Sequence, residues 1–132
     1  MSFETAVQTA LYNALSTNLD IALLVSGVFD SVPDTTGFPY ITIGEAIHNE
    51  WDTDNTIGHQ VSVTVHTWSR ARGRSQTKAI QGEIYNALHR AHLTHPGYRF
   101  VGTDFEDSQT MMDADGLTRH GIQTFRIYID KI

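Results

Sequence analysis

Three arginines fall within five residues, Arg70, Arg72 and Arg74 of "VHTWSRARGR" (65–74), in a chain that is otherwise acidic. Guanidinium groups at this density suit phosphates and carboxylates, which they hold through charge-assisted hydrogen bonds. Three readings fit the stretch: a solvated turn between a strand and a helix, a polyanion contact, and a protein–protein contact, where Arg is enriched. Gly73 does not make it a phosphate loop, because the Gly-Lys-Ser/Thr ending is absent.

Other chemistry-bearing residues give weaker patterns. "HRAHLTH" sets His89, His92 and His95 at steps of three. On a helix His89 lies nearly opposite the apolar stripe and is expected to face water, while Pro96 puts His95 outside the helix. A metal site needs convergent donors, and none is evident; histidines also suit the carbonyl-rich last turn of a helix. The acidic runs "DTDN" (52–55) and "DADG" (113–116) misplace the glycine of a calcium loop, and turn chemistry explains both. Neither a Gly-x-Ser-x-Gly elbow nor a His-Glu-x-x-His pair is present, so no catalytic residue is assigned. Trp68 is expected as a half-buried packing residue. Met111 and Met112 lie in a polar stretch, which suggests a partner surface.

The chain has 132 residues, a formal net charge of −6 and no cysteine. Its length fits one domain, residues 1–132, with a core of useful size. The acidic balance disfavours non-specific adhesion to nucleic acid and to anionic membranes. Without cysteine there are no disulfides, thiolate metal sites or cysteine catalysis. "MSFETAVQTALYNAL" does not read as a secretory signal, and no apolar run reaches membrane-spanning length.

The elements that position these residues follow from periodicity. Residues 2–17 read as an amphipathic helix with Ser2 as N-cap and Phe3, Val7, Leu11 and Leu15 on its apolar side. "DIALLVSG" (20–27) reads as a second short helix packed inside and ended by Gly27. Val28–Phe29 suggest a short strand, and Tyr40–Glu45 a longer one with Ile41 and Ile43 on one face. Residues 46–58 form a loop or the tip of a long hairpin. "HQVSVTVHTWS" (59–69) alternates cleanly, with Val61, Val63 and Val65 opposite Ser62, Thr64 and His66. Residues 75–93 read as a long helix with an Ile80, Ile84, Ala87, Leu88, Ala91 stripe, stopped by "THPG". The last strands are expected at 98–105 and 118–129. "EDSQTMMDADG" between them reads as an extended, partly mobile excursion. The fold class is α+β: an antiparallel or mixed sheet of about four main strands, with two main helices on one face.

The order of several stretches carries a further reading. "TALYNALSTNLDIALLVSGVFDSVPDTTGFPYITIGE", "VSVTVHTWSRARGRSQTKAIQGEIYNALH" and "HGIQTFRIYID" together resemble the tail-completion, or tail-terminator, family of long-tailed bacteriophages and related tailed particles. The resemblance covers nearly the whole chain, and segment 103–117 matches least. It implies a structural virion protein with no catalysis and no cofactor. Such proteins form a ring, typically of six subunits, on the head-proximal end of the tail tube. The ring ends tube polymerisation and joins the tail to the head's connector. The implied partners are other copies of the chain, the tail tube protein and the head-completion, or stopper, protein. DNA passes through without sequence recognition, and no membrane is involved. The implied location is the head–tail joint of the virion, after assembly in the host cytoplasm. A ring needs two different complementary patches on each subunit. Arg70, Arg72 and Arg74 are candidates to meet Glu50, Asp52 and Asp54 of a neighbour. Glu106, Asp107, Met111 and Met112 are candidates to reach a neighbour or the tube. The alternative is a small nucleic-acid-binding module that uses the Arg70–Arg74 turn; the net charge argues against it.

Overall fold

The first helix starts where a side chain can satisfy its orphan N–H groups. In the computed structural model, which describes residues 2–52 and 57–132, Ser2 Oγ accepts from the Thr5 N–H at 3.1 Å. Helix α1 then runs Phe3–Ser16 and buries Ala6, Val7, Ala10, Leu11 and Leu15. Asn18 caps α2, Leu19–Ala22, by accepting from the Ile21 N–H at 3.0 Å. Only Ile21 of α2 is buried. Leu23, expected inside, is 85% exposed, and Leu19 just before that segment is 80% exposed. The segment is one short turn at a corner, too short to turn every apolar residue inward.

Strands β1 (Val28–Phe29), β2 (Tyr40–Asp52) and β3 (Ile57–Ser69) follow, then α3 (Ser75–Leu88), β4 (Tyr98–Met112) and β5 (Arg119–Lys131). They form one five-stranded sheet in the order β1-β2-β3-β5-β4. β1 pairs parallel with β2, and every other pairing is antiparallel. The sheet is therefore mixed, with one short strand beyond the four main ones. Residues 46–52 are the outgoing arm of a long hairpin with β3 rather than a loop.

Alternation decides which face is covered. Val61, Val63 and Val65 of β3 and Phe125, Ile127 and Ile129 of β5 point to the same side. There they join Ile41, Ile80, Ile84, Leu88 and the α1 stripe in one core. Both long helices pack on this face: α1 over β1, β2 and β3, and α3 over β3, β5 and β4. The opposite face carries His66, Trp68, His120 and Tyr128.

Two expectations need correction. α3 ends at Leu88 rather than near residue 93, and not because of Pro96. The Arg90 N–H donates to Thr103 O of β4 at 2.8 Å, and Arg90 takes a positive φ of 58°. The backbone is thus captured by the sheet before "THPG" is reached. The excursion is also not a loop. β4 runs to Met112, and only Asp113–Thr118 turn, closed by Asp113 N–H to Thr118 O at 2.8 Å. Its polar residues sit on an edge strand, where water can solvate one side of the ladder.

Candidate interface surfaces

The arginine turn joins β3 to α3, and Gly73 allows the chain a φ of +74° there. Such a left-handed value costs glycine little. Arg70 is held on three sides. Its Nε donates to Thr118 Oγ1 at 3.3 Å, its Nη2 lies 3.9 Å from Asp115 Oδ2, and its guanidinium sits 4.3 Å over the Phe38 ring. Asp115 is itself fixed, because its Oδ1 accepts the Leu117 and Thr118 N–H groups at 2.8 and 2.9 Å. These bonds, with the Thr118 hydroxyl, lower its pKa to about 2. A carboxylate that accepts several hydrogen bonds resists protonation. Arg72 and Arg74 are exposed, and neither makes a side-chain hydrogen bond or ion pair among the described residues. Arg74 precedes α3 without capping it by its side chain, and Lys78 adds a further charge in the first turn. The turn is therefore one anchored guanidinium beside two free ones.

The acidic candidates lie elsewhere. Glu50 and Asp52 are exposed at the far end of β2, where Glu50 faces His59 and Asp52 faces Ile57 across the hairpin. Asp54 lies outside the described residues. Between Ser69 and this end runs the whole of β3, thirteen residues. At about 3.3 Å per residue that is roughly 40 Å. Glu106 is paired within the subunit, 3.3 Å from Arg126 Nε. Asp107 is exposed on the β4 edge, Met111 sits opposite His120, and Met112 is 45% exposed beside Arg119. The structure thus gathers Glu106, Asp107, Met111 and Met112 on one edge strand; Met112 ends it beside the arginine turn, since Arg119 contacts Met112 Sδ and donates to Gly73 O at 3.2 Å, while none of the four is brought to the acidic arm.

The "HRAHLTH" histidines do not converge. His89, expected to face water, stacks on Tyr85 at 4.8 Å and accepts the Phe105 N–H through Nδ1 at 3.2 Å. His95 lies 2.9 Å from Pro96 O through Nδ1 and packs edge-on against Tyr98. Among the described residues, no group of three His, Asp or Glu side chains is arranged to hold a metal ion. The histidines that do meet are cross-strand pairs. His48 Nε2 and His59 Nδ1 are 2.8 Å apart, with Glu4 Oε1 3.2 Å from His48 Nδ1 and Phe3 stacked on His59 at 3.8 Å. This pair ties the start of α1 to the hairpin arm. Glu4's pKa is lowered by the backbone N–H groups at the helix start and by His48. On the other face His66 Nδ1 and His120 Nε2 are 2.6 Å apart. The signal for the first pair is the β2–β3 hairpin, whose register sets His48 opposite Val61 and so diagonal to His59. The second pair is separated by 54 positions and has no local signature.

Comparison with known proteins completes the description. The family model described as tail completion protein gp17 matches residues 9–130. The tail completion protein gp17 of Bacillus phage SPP1 is 26% identical over 125 residues, covering 95% of this chain and 92% of that one. A solved structure of bacteriophage SPP1 gp17 has a TM-score of 0.65 at 25% identity, over 97% of this chain and 89% of the other. A chain in the virion of a native gene transfer agent particle has a TM-score of 0.89 at 23% identity, over 97% and 98%. No helix among the described residues is long and apolar enough to cross a membrane.

Proposed function

This chain belongs to the tail completion protein gp17 family, and from that membership we propose that it caps the head-proximal end of a phage tail tube as a ring. The coarse role is structural, a component of the virion tail that completes it, and it needs no chemistry of its own. In the finer reading, subunits close into a ring of six, end tube polymerisation and offer a docking face to the head's stopper protein. DNA passes through without being read.

One observation supports the ring most directly. The free cations of the arginine turn and the carboxylates of the hairpin arm sit at opposite ends of β3. Head-to-tail rings require two different patches that face one another only between copies. Arg72 and Arg74, with Lys78 beside them, are cationic and have no side-chain partner among the described residues; Glu50 and Asp52 are anionic and exposed. Within one subunit they are too distant to neutralise each other, since screening at physiological salt acts within about 8 Å. Between subunits they are complementary. Asp107, Met111 and Met112 on the β4 edge form the second contact of this proposal, toward the tube or a neighbour. The gene transfer agent chain adds support, because it has this fold within an assembled particle.

The test is the double substitution Arg72→Glu and Arg74→Glu, which leaves Arg70 on Thr118, Asp115 and Phe38. The isolated subunit should keep its circular dichroism spectrum, because exposed ion pairs contribute about 0–1 kcal/mol each. Tails assembled with it should lack the cap. Normal capping by the folded variant would remove the arginine turn from the interface.

A further inference from the structure

The outer face of the sheet carries a chain of titratable side chains that the capping role leaves unused. It runs from Glu45 on β2 through His66 on β3 and His120 on β5 to Asp113 in the β4–β5 turn. His66 Nε2 lies 3.3 Å from Glu45 Oε2, the oxygen to which Thr64 Oγ1 donates at 2.6 Å. His66 Nδ1 and His120 Nε2 stand 2.6 Å apart. His120 Nδ1 lies 3.7 Å from Asp113 Oδ1. The rings are held in place rather than free to swing. Trp68 stacks on His120 at 3.8 Å, and its Nε1–H donates to Thr42 Oγ1 at 3.0 Å. Asp30 lines the same hollow of about 370 Å³. On β4 the register neighbour of His120 is the uncharged Met111. The carboxylates of Glu45, Asp113 and Asp30 are thus the charged groups around the pair.

The proton positions follow from these contacts. His66 Nε2–H donates to Glu45, which leaves Nδ1 bare to accept the His120 Nε2–H. One additional proton fits on His120 Nδ1, toward Asp113, without disturbing the bond between the rings. The next proton has only His66 Nδ1 to occupy, and that lone pair already makes the bond. Two N–H groups then point at each other across 2.6 Å.

We infer that His66 and His120 form a proton-operated latch across the outer face, closed while the pair carries at most one charge and sprung when both rings are charged. Closed, it joins Glu45 on β2 and His66 on β3 to His120 on β5, and the first added proton, on His120 Nδ1, extends it to Asp113 of the Asp113–Thr118 turn. That turn seats Arg70 through Thr118 and Asp115. The latch is a property of the subunit alone; its consequence, release of the arginine turn from a neighbouring copy in mild acid, rests on the capping reading. Burial, and then the neighbouring His66, hold the His120 pKa below the usual histidine value.

The test is an NMR titration of the purified protein from about pH 8 to about pH 5, a range that brackets ordinary histidine. It follows the ring nitrogens of His66 and His120 and the amides of Leu117 and Thr118. The expected result is two separate ring steps, with the amides moving in the first as His120 engages Asp113 and again in the second as the rings part. His120→Gln keeps a donor for His66 Nδ1 but cannot charge, so it should abolish the amide response. His66→Gln asks the same question from the acceptor side, should the first variant not fold. Two independent one-step titrations would overturn the latch, and so would the same amide response in wild type and variant. A failure of the capping reading would leave these titrations unchanged, so the two ideas fail separately.

Discussion

Gly44 is the position where the outer face leaves least room. A Cβ built there would lie 2.5 Å from His66 Cδ2 and 2.7 Å from Thr64 Oγ1, well inside ordinary contact. Gly44→Ala must therefore displace the His66 ring and the Thr64 hydroxyl together. Overpacking of this kind costs about 1–3 kcal/mol. Losing the bond between the histidine rings adds about 1 kcal/mol. For a domain of this length roughly 3–4 °C of Tm accompanies each kcal/mol, so the variant should melt about 6–15 °C lower. Calorimetry at neutral pH measures this directly. Repeating the substitution in a His66→Ala background isolates the cause. The colliding ring is then gone, only the Thr64 contact remains, and the penalty should fall by more than half. A Tm unchanged within about 1 °C, or an equal loss in both backgrounds, would refute the packing of His66 against Gly44; a domain-scale ΔΔG of that size is well resolved by such a scan.

Two further predictions follow from the core and from the turn. Phe125 is fully buried between the sheet and the helices, so Phe125→Ala should cost about 3–5 kcal/mol, read as a lowered urea midpoint with an unchanged slope. Asp115 has a folded pKa of about 2, held below the ordinary aspartate value by the Thr118 and Leu117 hydrogen bonds. Because the folded value is depressed, its stabilisation is fully present above the unfolded pKa and is lost as pH falls toward the folded one. Hydrogen exchange at Leu117 and Thr118 should accelerate in wild type between about pH 4 and pH 2, beyond the intrinsic change, whereas Asp115→Asn should show weaker protection without that step. Equal protection in the two proteins across the window would show that the carboxylate does not hold the turn.

The parts of the fold that the sequence makes legible are those where one face is buried. Val61, Val63 and Val65 alternate with polar residues because β3 is central and covered on one side. Ile80, Ile84 and Leu88 recur at helical spacing for the same reason. β4 obeys no such rule beyond Phe105: its residues 106–112 are exposed or half-buried on either face, so "EDSQTMM" carries no alternation to read. The exposed Leu23 misleads in the opposite sense, because apolar type alone does not report burial. Among the candidate site residues, Arg72 and Arg74 are exposed and make no side-chain bond among the described residues, whereas Arg70 is anchored within the subunit. Glu106 is already paired with Arg126, a long-range contact set by sheet register. The histidine pairs depend wholly on that register. His48 and His59 are recoverable once the hairpin is drawn, whereas His66 and His120 become neighbours only when β3 and β5 are known to adjoin.

The central claim is that this chain ends the tail tube and prepares it for the head. Its most direct test is an amber mutation of the gene in the parent particle, with tail lengths and joining scored by negative-stain electron microscopy of the lysate. The account predicts overlong or ragged tails, unattached to filled heads, with function restored by the wild-type chain supplied in trans. Tails of normal length joined to filled heads, in a lysate shown to lack the protein, would contradict it.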